Sequence, residues 1–340
     1  MDPRIAQAEL STDLVLEGGG VKGIALVGAV QPLLDAGYRF PRIAGTSAGA
    51  IVGALLAALQ RREGGVDDLE AIARSLDYTK FRDRGIPARL LGPFGFLADP
   101  LSLLLEDGAY EGKYLRDWLD GVLRDLGVRT FGDLRTDDPG DDGSVRHRYG
   151  LVVLASDLSR HRLAQLPWDY GEYGLDPDEQ PVADAVRASA SIPYFFEPVE
   201  LDGPRGTATL VDGGLLSNYP IDTFDRRDEN PPRWPTIGVR LDALNLGEDH
   251  GPIHPVRGTV DLGVALVMTS IEASQAEHVL DPCNVARSVY VDTQGVGATD
   301  FDLSEEDQER LLDSGRTATR AFLDGWDWQA WRRECGKSSG

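Results

Sequence analysis

Cysteine is nearly absent from this 340-residue chain. Cys283 and Cys335 are the only two, too few for a disulfide framework, and no CxxC pair or Cys/His cluster offers a zinc site. Lysine is scarce as well, four residues among 34 basic ones, and this arginine-heavy balance carries no mechanism of its own. Basic residues as a whole fall so far short of acidic ones that the formal net charge is −22. A surface of that sign repels nucleic acid and anionic bilayers at long range, which removes both as default partners. The opening MDPRIAQAELSTD lacks a basic stretch followed by an apolar one, so no signal peptide is expected. A membrane span is not expected either. The longest uncharged stretch, Ile43 to Gln60, reaches spanning length, but the GTSAG near its start forces a turn and leaves too short an apolar helix. The chain therefore reads as cytoplasmic. Its 41% hydrophobic and 26% charged residues exclude a wholly disordered chain, and its length suffices for a large core.

Strand, tight glycine turn and helix occur in that order twice within the first sixty residues. Leu14-Val15-Leu16 ends at Gly18-Gly19-Gly20, and a helical pattern runs from Val21 to Leu34. Arg42-Ile43-Ala44 ends at Gly45-Thr46-Ser47-Ala48-Gly49, and the run from Ala50 to Leu59 reads as a helix buried nearly all round. This is the grammar of a parallel sheet covered by helices. Further strands are expected at 149–156, 208–211, 237–241 and 288–291. Further helices are expected at 67–76, 114–126, 182–190, 260–276 and 305–323. The turn-rich stretches at 136–144 and 225–235 read as surface loops rather than linkers. The expected organisation is a tail at 1–12, one α/β domain over 13–325 with a helical insertion at about 76–130, and a C-terminal tail at 326–340.

Gly45-Thr46-Ser47-Ala48-Gly49 fits G-x-S-x-G, the nucleophile elbow. A serine on a strained strand-to-helix turn needs small neighbours so that strand and helix pack closely. The following helix points its positive end at a developing oxyanion. Among 39 glycines the pattern alone is weak; the strand before it and the helix after it give it weight. An ordinary βα turn is the competing reading.

Gly18-Gly19-Gly20-Val21-Lys22-Gly23 supports two mechanisms. It matches the G-x-G-x-x-G dinucleotide fingerprint, and it is equally a run of unhindered N–H groups able to bind an acyl-transfer oxyanion. The dinucleotide reading, that of an oxidoreductase or sensor, needs an acidic residue about 20 positions on, and the stretch 38–44 has none. The order G-K-[ST] of a Walker loop is absent too.

Ser47 needs a base. The five histidines (His147, His161, His250, His254 and His278) sit in polar or turn-like contexts, and a Ser-His-Asp esterase would need one of them. The other candidate is Asp212, in Val211-Asp212-Gly213-Gly214, at the C-terminal end of an expected strand where parallel-sheet sites form. A plain turn aspartate explains the same dipeptide equally well.

Taken in order, Glu17-Gly18-Gly19-Gly20-Val21-Lys22-Gly23, Gly45-Thr46-Ser47-Ala48-Gly49 and Asp212-Gly213-Gly214 resemble the patatin-like phospholipases, in the bacterial branch. That family carries G-G-G-x-[RK]-G, G-x-S-x-G and D-G-[GA]. Residues 190–198, 216–220 and 297–303 resemble it too, so the likeness spans about 14–323. It implies a three-layer α/β/α sandwich with a mostly parallel central sheet, and hydrolysis of carboxylic esters in lipids or phospholipids. It further implies a Ser–Asp dyad of Ser47 and Asp212, an oxyanion hole from the N–H groups of Gly18, Gly19 and Gly20, and no metal or organic cofactor. An exposed aspartate is a poor acceptor for a serine proton, so Asp212 is expected to be desolvated, raised in pKa and hydrogen-bonded to Ser47.

One segment bears on how so acidic a protein reaches lipid. Residues 90–98 and 101–105 form an apolar stretch broken by Gly, Pro and Asp99. Lys80, Arg82, Arg84 and Arg89 precede it against Asp83 alone. A basic collar beside exposed Leu and Phe suits transient binding at a membrane surface through about 80–105, with Ile86–Leu105 as a mobile lid over Ser47. Ordinary core is the competing reading. Trp326, Trp328 and Trp331 in the tail suit core packing more than docking on a regulatory protein partner, whose identity the sequence leaves open.

Overall fold

The apolar runs become the strands of one sheet. In the computed structural model the described residues are 11–62, 68–77, 80, 112–136, 148–226, 228, 230–241, 255–256, 258–279, 281–298, 300 and 303–336. Among them, β1 (Asp13–Leu16), β2 (Ile43–Thr46), β3 (Leu151–Asp157), β4 (Arg162–Leu166), β5 (Val199–Gly203), β6 (Gly206–Asp212), β7 (Thr236–Arg240) and β8 (Ser288–Tyr290) form a sheet of order β5-β6-β3-β2-β1-β7-β8, with β4 also paired to β3. The central pairings β3–β2, β2–β1, β1–β7 and β7–β8 are parallel. The hairpins β3–β4 and β5–β6 and the β3–β6 pair are antiparallel.

Alternation along the strands divides the core. Leu14, Leu16, Ile43, Leu151, Val153, Ile237 and Val239 face one cluster, which contains residues of α1 (Ile24–Asp35), α2 (Ala48–Leu59) and α8 (Glu305–Gly325). Val15, Ala44, Val152 and Leu154 face the other side, where Tyr219, Ile221 and Phe224 cover them. Strands buried on both faces read as continuous apolar runs, which is why these were visible in the sequence. Helices α1 and α8 cross in near backbone contact. A Cβ at Gly28 would lie 2.1 Å from the Leu312 carbonyl oxygen, and one at Gly315 would lie 2.2 Å from that of Ala25.

The remaining helices are α3 (Leu69–Arg74), α4 (Lys113–Asp125), α5 (Val182–Ser189), α6 (Gly258–Val279), α7 (Pro282–Ala286) and α9 (Trp328–Cys335), with a single short turn at Tyr170–Tyr173. Two features depart from the sequence reading. The hairpin partners β4 and β5 lie outside the expected strands. The two cysteines, though no framework, form one bridge, Cys283–Cys335, with Cα atoms 5.6 Å apart. It ties α9 to α7, and the Trp331 indole N–H donates to the Cys283 carbonyl (2.9 Å). Trp326 packs against the main core. The helical insertion at 76–130 is described only at its ends, and the apolar segment Ile86–Leu105 lies outside the described residues. Among the described residues no helix is long and apolar enough to cross a membrane.

Candidate active site

Strand β3 brings the expected nucleophile and base together by register. From Val153 to Asp157 one edge of β3 is held by β4. Strands β2 and β6 must therefore share its other edge, β2 running up to Thr46 opposite Leu154 and β6 running down to Asp212 opposite Ala155. The two strands meet head-on at adjacent positions, so both chains turn out of the sheet at that point. Ser47 follows the first and Asp212 ends the second.

Ser47 turns sharply, with φ 51° and ψ −118°, a region that costs a non-glycine residue about 1–3 kcal/mol. The surroundings enforce it. A Cβ at Gly45 would lie 2.3 Å from the Gly49 carbonyl oxygen, and one at Gly49 would lie 2.2 Å from that of Leu16, so strand and helix pack at a distance only glycine permits. Helix α2 starts at Ala48 and directs its positive end at the serine. Ser47 itself is 5% exposed, and its backbone N–H donates to the Ser189 hydroxyl (2.9 Å).

Asp212 is 2% exposed. Its Oδ1 accepts the Gly214 N–H (2.7 Å), whereas Oδ2 is buried with no hydrogen-bond partner among the described residues. Burial pushes its pKa up to about 7, against smaller lowering effects from the Gly214 N–H and the neighbouring Ser47 hydroxyl. The hydroxyl thus lies near enough to act on the carboxylate.

The glycine loop differs from the expected trio of donors. The Gly18 N–H is bonded to the Asn218 carbonyl (3.0 Å), and the Asn218 side-chain amide donates back to the Gly18 carbonyl (3.1 Å). Gly18 therefore anchors the loop, and its N–H is not available to an oxyanion. The N–H groups of Gly19 and Gly20 carry no hydrogen bond among the described residues. Glu17, buried just upstream, accepts the Leu241 N–H (2.5 Å) and lies 3.5 Å from the Arg240 guanidinium, which fixes the start of the loop to the end of β7.

Beside Ser47 opens an apolar cavity of about 40 Å³, lined by Val21, Ile51, Leu115, Ile192 and Phe196. A second of about 20 Å³, reaching Leu55 and Trp118, shares Gly20, Ala48 and Ile51 with it. Of the histidines, only the His161 side chain is described. It sits in the β3–β4 turn and hydrogen-bonds neither Ser47 nor Asp212.

Sequence reasoning missed Asn218, Ser189 and Ser191 as site residues. Asn218 and Ser191 lie in stretches that carried the resemblance, but nothing in their residue types announces a partner.

A family model described as patatin-like phospholipase matches residues 14–225. The chain belongs to the patatin-like phospholipase family. That family is one of lipid hydrolases, and the chain is an enzyme of that class. The uncharacterized protein YqhO of Bacillus subtilis is 38% identical over 317 residues, covering 92% of this chain and 98% of that one. The NTE family protein Rv2565 of Mycobacterium tuberculosis is 30% identical over 63% of this chain, which spans only 28% of that protein. The patatin-like fold here also resembles the crystal structure of VipD from Legionella pneumophila, with a TM-score of 0.51 and 19% identity over 92% of this chain and 66% of that one. At that identity the likeness concerns the fold alone.

Proposed function

We propose that this chain hydrolyses carboxylic esters of lipids through a Ser47–Asp212 dyad and an acyl-enzyme. The observation that carries the reading is the buried Oδ2 of Asp212, unpartnered among the described residues, beside a nucleophile-elbow serine that opens on an apolar cavity. As the acyl chain enters that cavity, the Ser47 hydroxyl closes on Oδ2. The serine oxygen attacks the ester carbonyl while its proton passes to Asp212. The N–H groups of Gly19 and Gly20, with the N-terminus of α2, stabilise the tetrahedral oxyanion. Collapse expels the alcohol, which takes the proton from Asp212. A water then gives its proton to Asp212 and attacks the acyl-enzyme. The fatty acid leaves, and the proton returns to Ser47.

Burial supports Asp212 in the role that solvent would deny it. Raising a carboxylate from 3.8 to about 7 narrows the proton-affinity gap to a serine by about 3 units, or about 4 kcal/mol. The test is labelling with a fluorophosphonate probe, which reacts only with an activated serine. Adduct on Ser47, absent from Ser47→Ala and reduced at least a hundredfold in Asp212→Asn, is the expected result. Loss of labelling in a folded variant with one histidine replaced by Ala would refute the dyad in favour of a histidine triad. The same reading has the protein cytoplasmic and peripheral, meeting lipid through about 80–105. Replacing Phe94, Phe96 and Leu97 with Ser should then weaken vesicle binding and spare a soluble short-chain ester.

A further inference from the structure

Helix α5 ends in a turn that touches both halves of the dyad and takes no part in the chemistry above. Ser189 is fully buried. Its hydroxyl donates to the Leu154 carbonyl (2.5 Å), which leaves its lone pairs to accept the Ser47 N–H (2.9 Å). Two residues on, Ser191 is also fully buried, and its carbonyl accepts the Asp212 N–H (2.8 Å). One short segment thus holds the nucleophile and the base by a backbone hydrogen bond each.

The Leu154 carbonyl makes the link tighter. Leu154 is the residue of β3 opposite the end of β2. Its carbonyl oxygen is also what Gly213 packs against, since a Cβ there would lie 2.2 Å away. The Ser189 hydroxyl therefore joins the elbow to the point of the sheet on which the base loop rests. Ser47 has left the ladder of β2 at φ 51°, so its N–H has no strand partner. Without the Ser189 oxygen this donor is a buried orphan, and the turn is free to relax toward an unstrained conformation that carries Oγ away from Asp212.

We infer that Ser189 is a positioning residue: its hydroxyl clamps the Ser47 backbone to β3 and so sets the aim of the nucleophile at Asp212. The inference rests on the reading of Ser47 as nucleophile. Ser189 is absent from the acyl cavity lining, so its removal should act on kcat and leave KM in place. A misplacement of the nucleophile approaching 1 Å costs about a hundredfold in rate.

The test uses Ser189→Ala and Ser189→Cys, the second keeping the shape while replacing the hydroxyl with a weak acceptor. The measurements are kcat and KM on a p-nitrophenyl ester, the rate constant for fluorophosphonate labelling of Ser47, and Tm. Expected are parallel falls of about tenfold to a hundredfold in kcat and labelling, with KM within about twofold and the pH midpoint of the reaction unmoved. Unchanged kcat in a folded variant overturns the inference, as does a fall in kcat matched by a rise in KM. If neither variant folds, the hydroxyl serves the fold and the inference is again overturned. A wild-type chain whose Ser47 does not label refutes the dyad reading itself, whereas equal labelling of wild type and Ser189→Ala refutes this inference alone.

Discussion

Replacing Asp212 with Asn should stabilise the protein while removing its activity, and the gain should depend on pH. Asp212 is raised from 3.8 to about 7 by burial, so the folded state holds this proton more tightly than the unfolded chain does. Below about pH 4 both states are protonated and ionisation imposes no penalty. As pH rises, the unfolded chain releases the proton first, and stability falls until the folded carboxyl also ionises near pH 7. Above that the full penalty persists, a shift of about 3 units or about 4 kcal/mol. Asparagine keeps an oxygen for the Gly214 N–H and carries no charge, so the variant escapes the penalty. About half of it, roughly 2 kcal/mol, develops between about pH 5.5 and about pH 8.5. Urea unfolding of both proteins at those two values, compared as a difference of differences, cancels the titration of the other acidic groups. A stability difference that does not grow with pH would refute the claim that burial raises the Asp212 pKa.

The same shift fixes the pH profile of the enzyme. Activity should rise as Asp212 ionises and level off above about pH 7, which a kcat/KM profile would check. Gly45→Ala sets a Cβ 2.3 Å from a backbone oxygen. It should destabilise the protein by about 1–3 kcal/mol and abolish fluorophosphonate labelling, measured by urea unfolding and gel fluorescence. Reducing Cys283–Cys335, which closes a 52-residue separation, should lower stability by about 4 kcal/mol if the bridge acts through chain entropy; unfolding with and without dithiothreitol reads this directly.

What the sequence makes visible depends on whether a residue acts through its own shape or through a partner. The elbow is legible because the crowding of β2 against α2 admits only small residues, and Gly45, Ala48 and Gly49 write that crowding into the chain. The central strands are legible because burial on both faces leaves unbroken apolar runs. β5, Val199–Gly203, is not: it alternates half-buried and exposed residues with two acids among five, as a strand at the edge of a sheet does. Asp212 stands out only when its motif is read with the other two, since Asp-Gly turns are common. Gly18 illustrates the opposite failure. Its residue type suits an oxyanion donor, but the Asn218 carbonyl claims its N–H from 200 positions away. Ser189 has no local signature at all, because its role is written in the Leu154 carbonyl and the Ser47 amide.

The head-on meeting of β2 and β6 along β3 has a consequence for how such a chain can change. The distance between Ser47 and Asp212 is gauged by two neighbouring rungs of one strand, Leu154 and Ala155, not by the long stretch of chain that separates them in order. Segments looping away from the sheet in that interval can grow, shrink or be exchanged without altering the gauge. A single residue inserted within β2, β3 or β6 cannot be absorbed in that way, because it turns every later side chain to the opposite face. The spacing of Ser47 and Asp212 is thereby insulated from most of the sequence and hostage to a few residues of it, which leaves the connecting loops open to remodelling.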